Sequence, residues 1–96
     1  MLTKENKKLL RSMAHQLNSN IQIGKGGHSE NLIANLDTDL EAHELVKVTL
    51  LKTCDLDVNE AAVQCAAQTG SEIVQMIGRT FVLYRLSKNN KLGIQA

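Results

Sequence analysis

The run Gly24-Lys25-Gly26-Gly27 has the residue types for close contact with a small charged group. Glycines let a backbone turn sharply and approach a ligand, and a following helix offers unpaired N–H groups at its positive dipole end. The run follows the alternating pattern Ile21-Gln22-Ile23 and precedes His28, the N-cap residue Ser29 and a first-turn acid, Glu30. Lys25 adds a mobile cation at the tip. That assembly suits a phosphate. Neither the GxxxxGK[ST] spacing of a Walker A loop nor the GxGxxG dinucleotide fingerprint occurs. The pattern is GxxG, with which KH-type modules clamp a nucleic-acid backbone. A plain tight turn is the alternative reading of the same glycines.

Two further sets of cations point the same way. Thr3 is placed to cap a first helix running to about Leu17, with Leu9, Leu10, Met13 and Leu17 on one face. At about 100° per residue, Lys4, Lys8, Arg11 and His15 fall within about 60° of one another, opposite the apolar stripe. No acid interrupts them, so the stripe is either a solvated face or an anion-facing one. Arg79 sits in the two-residue turn Gly78-Arg79, which exposes it, and a contact to a nucleic-acid backbone is the expectation there.

Other chemistries find less support. Cys54 and Cys65 are separated by ten residues, unlike the short CxxC spacing of a zinc site, and read as free thiols in or near a core. His15, His28 and His43 form no HExxH or HxxxH pair, so no metal and no cofactor is expected. His43 falls one turn beyond Leu40 on the apolar arc of the second helix and is expected to be a packed structural histidine. Phe81 and Tyr84 are the only aromatics apart from the histidines, too few for an exposed stacking platform of the RRM kind. An enzyme acting on a phosphorylated substrate at the Gly-rich loop has only His28, Ser29 and Glu30 beside it as acid or base.

The elements that must hold these residues follow from periodicity. Ile21 to Ile23 is a short strand, and Leu32, Ile33, Leu36 and Leu40 are the buried stripe of a second helix. Leu45 to Leu51 reads as a strand. Asp57-Val58-Asn59-Glu60 resembles a capping box, opening an alanine-rich helix that stops at Gly70. Ile73 to Ile77 and Thr80 to Leu86 form a hairpin, and the second of these, apolar on both faces, belongs in the sheet interior. The order α-β-α-β-α-β-β gives an α/β (α+β) domain with three helices on a small mixed four-stranded sheet. Its βαβ connections are expected to be right-handed and its last strand pair antiparallel.

With 96 residues, 43% hydrophobic, the chain has one domain's worth of core and no apolar run of membrane-spanning length. A soluble, cytoplasmic protein is expected, with a short flexible tail from about residue 88. Net charge is +1, but residues 1–28 carry five bases to one acid, while residues 29–44 carry five acids and no base. Such a molecule can turn one face to an anionic partner and the other to water.

Three spaced runs resemble the CRM domain family, whose stand-alone bacterial members are the YhbY-like proteins. They are Gln22-Ile23-Gly24-Lys25-Gly26-Gly27, His43-Glu44-Leu45-Val46-Lys47-Val48, and Ile77-Gly78-Arg79-Thr80 continuing to Leu83-Tyr84-Arg85. The resemblance extends from Leu2 to about Ser87. It implies an RNA-binding domain built like the C-terminal domain of translation initiation factor three, with RNA contact at Gly24, Lys25, Gly26 and Gly27. It further implies a role at precursor large ribosomal subunits; plant relatives act in group II intron splicing. The expectation is therefore a non-catalytic binder of ribosomal RNA in large-subunit assembly. Its contacts would be the loop with His28, the stripe Lys4, Lys8, Arg11 and His15, and Arg79. The acidic second helix is available to a basic ribosomal protein.

Overall fold

Thr3 opens the first helix as expected: its hydroxyl accepts from the Asn6 N–H at 3.0 Å, which satisfies one of the free donors of the first turn. The computed structural model describes residues 3–17, 21–24, 30–52, 54 and 57–86. Ser29 and the tail from residue 88 lie outside them. Three helices, α1 (Lys4–Ala14), α2 (Glu30–His43) and α3 (Val58–Thr69), alternate with β1 (Ile21–Ile23), β2 (Leu45–Leu50), β3 (Glu72–Ile77) and β4 (Thr80–Tyr84). The element order matches the expectation.

The strands form one mixed sheet in the order β1-β2-β4-β3. β1 runs parallel to β2, with α2 between them in the chain, and β4 is antiparallel to both of its neighbours. Alternation then divides the core. Ile23, Val48, Phe81 and Leu83 face α2 and α3, meeting Leu36, Leu40, Ala61, Ala62 and Cys65. Leu45, Val82 and Tyr84 face the other way, onto Leu10 and Ala14 of α1. β4 feeds both layers, so its apolar residues on both faces do mark an interior strand.

Several expected boundaries and burials shift. α1 stops at Ala14, not Leu17, because its end tightens: Gln16 N–H donates to Met13 O and Leu17 N–H to Ala14 O, an i to i+3 pattern. Its buried line is centred on Leu10 and Ala14. Leu9, one step of 100° from that line, is 51% exposed and belongs to the surface. His43 is exposed, not packed. The four-residue rhythm of Leu36 and Leu40 reaches Glu44 instead, which is fully buried and takes a left-handed φ of 66° between α2 and β2. Asp57 caps α3 through the Asn59 N–H at 3.1 Å, and Gly70, at φ 65°, closes it. The hairpin turn has a positive φ at Gly78 only, the type II′ pattern that suits strand twist.

Candidate functional site

β1 delivers the chain to the glycine loop. Its outer residues Ile21 and Ile23 are buried and Gln22 is exposed, so the strand is anchored by its neighbours and Gly24 follows at the sheet's end. Leu51 N–H donates to Ile23 O at 2.8 Å, tying the segment after β2 to the point where the loop begins. The β3–β4 turn lies at the same end: Leu50 N–H donates to Arg79 O at 2.7 Å. Lys25, Gly26, Gly27, His28 and Ser29 lie outside the described residues.

Arg79 is engaged with its own chain. Its Nε donates to Leu50 O at 3.1 Å, and one terminal nitrogen reaches Leu51 O at 2.6 Å and Cys54 O at 3.4 Å. The planar fork suits this use, because it holds several N–H groups in one fixed geometry. The arginine thus fixes the chain leaving β2, next to the loop entrance. Sequence reasoning saw its exposure but not these carbonyls, which come from residues 25 to 29 positions earlier.

Lys4, Lys8, Arg11 and His15 are all exposed along α1, as the helical wheel predicts. The structure places the last of them by the sheet. Ala14 and His15 border a groove of about 150 Å³ with Lys47, Gln75, Ile77, Thr80 and Val82. Ile77 and Thr80 are register partners at the hairpin end, so the C-terminal turn of α1 lies toward the end of the sheet that carries the loop. Across that end, on the α1 face, Gln22 pairs with Thr49, Thr49 with Thr80, and Thr80 with Ile77. The two threonine hydroxyls are 3.2 Å apart. Three strand spacings make this row about 14 Å long.

The sequence reading includes Gln22, Lys47 and Thr80 in the family runs but gives no contact role to them or to Thr49. The signal was present in β1 and β2, where polar residues alternate with fully apolar ones and all turn to the side that α1 covers only in part. A second groove, of about 320 Å³, lies between β1 and α2 and includes Asp39. Among the described residues no three His, Cys, Asp or Glu side chains gather as a metal site, and no helix is long and apolar enough to cross a membrane.

Residues 2–85 match the CRS1/YhbY (CRM) domain model. This chain belongs to the CRM domain family. It is 46% identical to the probable RNA-binding protein YqeI of Bacillus subtilis, over 95% of both chains. It is 32% identical to a Haemophilus influenzae protein named RNA-binding protein, over 97% of this chain and 94% of that one. A Staphylococcus aureus protein solved in solution superposes with a TM-score of 0.81 at 47% identity, over 96% of each chain. The CRM resemblance read from the three motifs and the three-helix, four-strand architecture are both borne out.

Proposed function

We propose that this CRM domain is a non-catalytic RNA-binding protein that contacts ribosomal RNA during large-subunit assembly, through the GxxG loop and the basic face of α1. The observation that carries the reading is the gathering of the loop entrance at Gly24, the row Gln22-Thr49-Thr80 and His15 of α1 at one end and one face of the sheet. The relatives' names, RNA-binding proteins in each case, support the class of ligand. On this reading the phosphate backbone lies against Gly24, Lys25, Gly26 and Gly27 with His28 beside it. It continues past His15 toward Arg11, Lys8 and Lys4, a rise of about 16 Å along the helix. Arg79 acts at the same place by holding the chain after β2, and its exposed edge meets the backbone from that side.

Neutralising about four to six phosphates gives a slope of log affinity against log salt of roughly −3 to −5. Filter binding to a large-subunit rRNA fragment measures it. Lys8→Glu with Arg11→Glu should weaken binding at least tenfold, and Lys25→Ala with Gly26→Asp should do the same, because Gly26→Asp puts a carboxylate where phosphate would sit. Unchanged affinity in both double variants, with native circular dichroism, would sink the surface. Absence of the protein from precursor large-subunit fractions of growing cells at low salt would sink the assembly role.

A further inference from the structure

A β-bulge decides what the α1-side groove can bind. β3 pairs with β4 through Ile73 and Leu83, then through Gln75 and Val82, so Val74 is the extra residue in the ladder. Strict alternation would send Gln75 and Ile77 to the α2/α3 face with Ile73. The bulge moves both to the face of Val82 and Thr80, where they line the groove beside His15. Bulges often re-aim a side chain next to a binding site, and here the re-aimed groups are an amide and an exposed aliphatic chain.

The groove's chemistry suits one kind of occupant. Its lining includes the Lys47 ammonium and the His15 imidazole and no carboxylate, so it suits an anionic occupant. The groove between β1 and α2, which contains Asp39 and no base, does not. Phe81 and Tyr84 are 0% and 2% exposed, which leaves the His15 imidazole as the ring available for stacking here. Ile77, 59% exposed, offers an apolar surface beside it. Gln75 carries both a donor and an acceptor on one planar group, as the edge of a nucleobase does. At about 150 Å³ the space is of the size of a single ring system.

We infer that this groove holds one unpaired RNA nucleotide, its base against His15 and Ile77 and its edge read by Gln75, with Lys47 toward the phosphate. The inference rests on the RNA-binding reading and adds a base-reading subsite to it. Sequence-selective RNA recognition generally uses unstacked bases read on their edges in this way. The row Gln22-Thr49-Thr80 connects the subsite to the loop entrance, so one strand of RNA can engage both.

Fluorescence anisotropy with labelled eight-nucleotide strands of A, C or U tests it. The wild-type protein should bind one strand at least fivefold more tightly than the weakest. Gln75→Ala should bring the three within about twofold of one another, since a good edge contact is worth roughly five- to a hundredfold in discrimination. His15→Ala should weaken all three alike, because stacking tolerates any base. Should Gln75→Ala fail to fold, the wild-type protein decides: the Gln75 side-chain amide resonances must move in an NMR titration with the favoured strand. Binding without base preference, a preference that survives Gln75→Ala, or a silent Gln75 amide overturns the subsite and leaves the RNA-binding reading standing. No binding to these strands or to structured rRNA removes both.

Discussion

Tyr84 is 2% exposed, and its hydroxyl has no hydrogen-bond partner among the described residues. A buried, unpaired hydroxyl costs stability that a phenyl ring of the same shape does not. Tyr84→Phe should therefore leave urea stability at pH 7 unchanged or raise it by about 1 kcal/mol, and a loss of stability would show that the hydroxyl is satisfied. The same burial, with the charges of Glu44 and Glu72 adding to it, raises the Tyr84 pKa, and burial pushes the Cys65 thiol up to about 11. In the unfolded chain the thiol ionises at its ordinary 9.0. Above that pH the unfolded state releases a proton that the folded state keeps, so stability falls as pH rises toward 11. Urea titrations across this range should show the decline, shallower in Cys65→Ala, and an identical slope in the variant would exclude the thiol as its source. At this scale the sequence was partly legible. The cap at Thr3 and the closing Gly70 are local chemistry and were found. Leu9 and His43 were misplaced because a helical wheel orders residues around an axis but does not say where the packed face is centred.

At the scale of elements, the sheet was readable where a strand's own pattern decides its place. Phe81, Val82, Leu83 and Tyr84 are apolar in sequence and buried on alternate faces, and an interior strand follows. The bulge at Val74 was hidden, because it is set by pairing with β4 and leaves no mark in the alternation of Ile73 to Ile77. The ties made by Arg79 and Arg85 were hidden for a related reason, since most of their partners are backbone carbonyls. Arg85 pairs with the Asp37 carboxylate and donates to Thr69 O at 2.8 Å and Asp37 O at 3.0 Å, joining the end of β4 to α2 and to the last turn of α3. Arg79 does the same service for the chain after β2. A lysine there keeps the charge but has no fork to span Leu50 O, Leu51 O and Cys54 O. Arg79→Lys should therefore speed hydrogen exchange at the Leu51 and Cys54 amides, whose bonds run to Ile23 O and Leu51 O, while α1 amides keep their rates. Unchanged exchange at both would show that the arginine does not hold this segment.

For the whole molecule, the two layers differ in charge. α1 lies on one face of the sheet with Lys4, Lys7, Lys8 and Arg11, while α2 lies on the other with Asp37, Asp39 and Glu41. A net charge of +1 exerts little pull on RNA, but this separation orients the approach. Asp39→Asn with Glu41→Gln should accordingly leave the salt slope within about half a unit of wild type, whereas neutralising any one phosphate-binding cation of α1 should lower it by about one. Equal effects from both faces would mean that the attraction has no direction. The charge segregation was legible in the sequence; that α1 and α2 occupy opposite layers required the fold.

The position of β4 also bears on how the two layers are joined. It is the last of the described strands in chain order, yet it sits between β2 and β3. Without residues 80–84, β3 has no neighbour in the sheet and β2 has only the three residues of β1. Phe81 and Leu83 complete one core while Val82 and Tyr84 complete the other. A chain ending just before Thr80 would therefore lack the strand that joins β3 to the rest and part of each core, so both layers depend on the same five residues, 80–84.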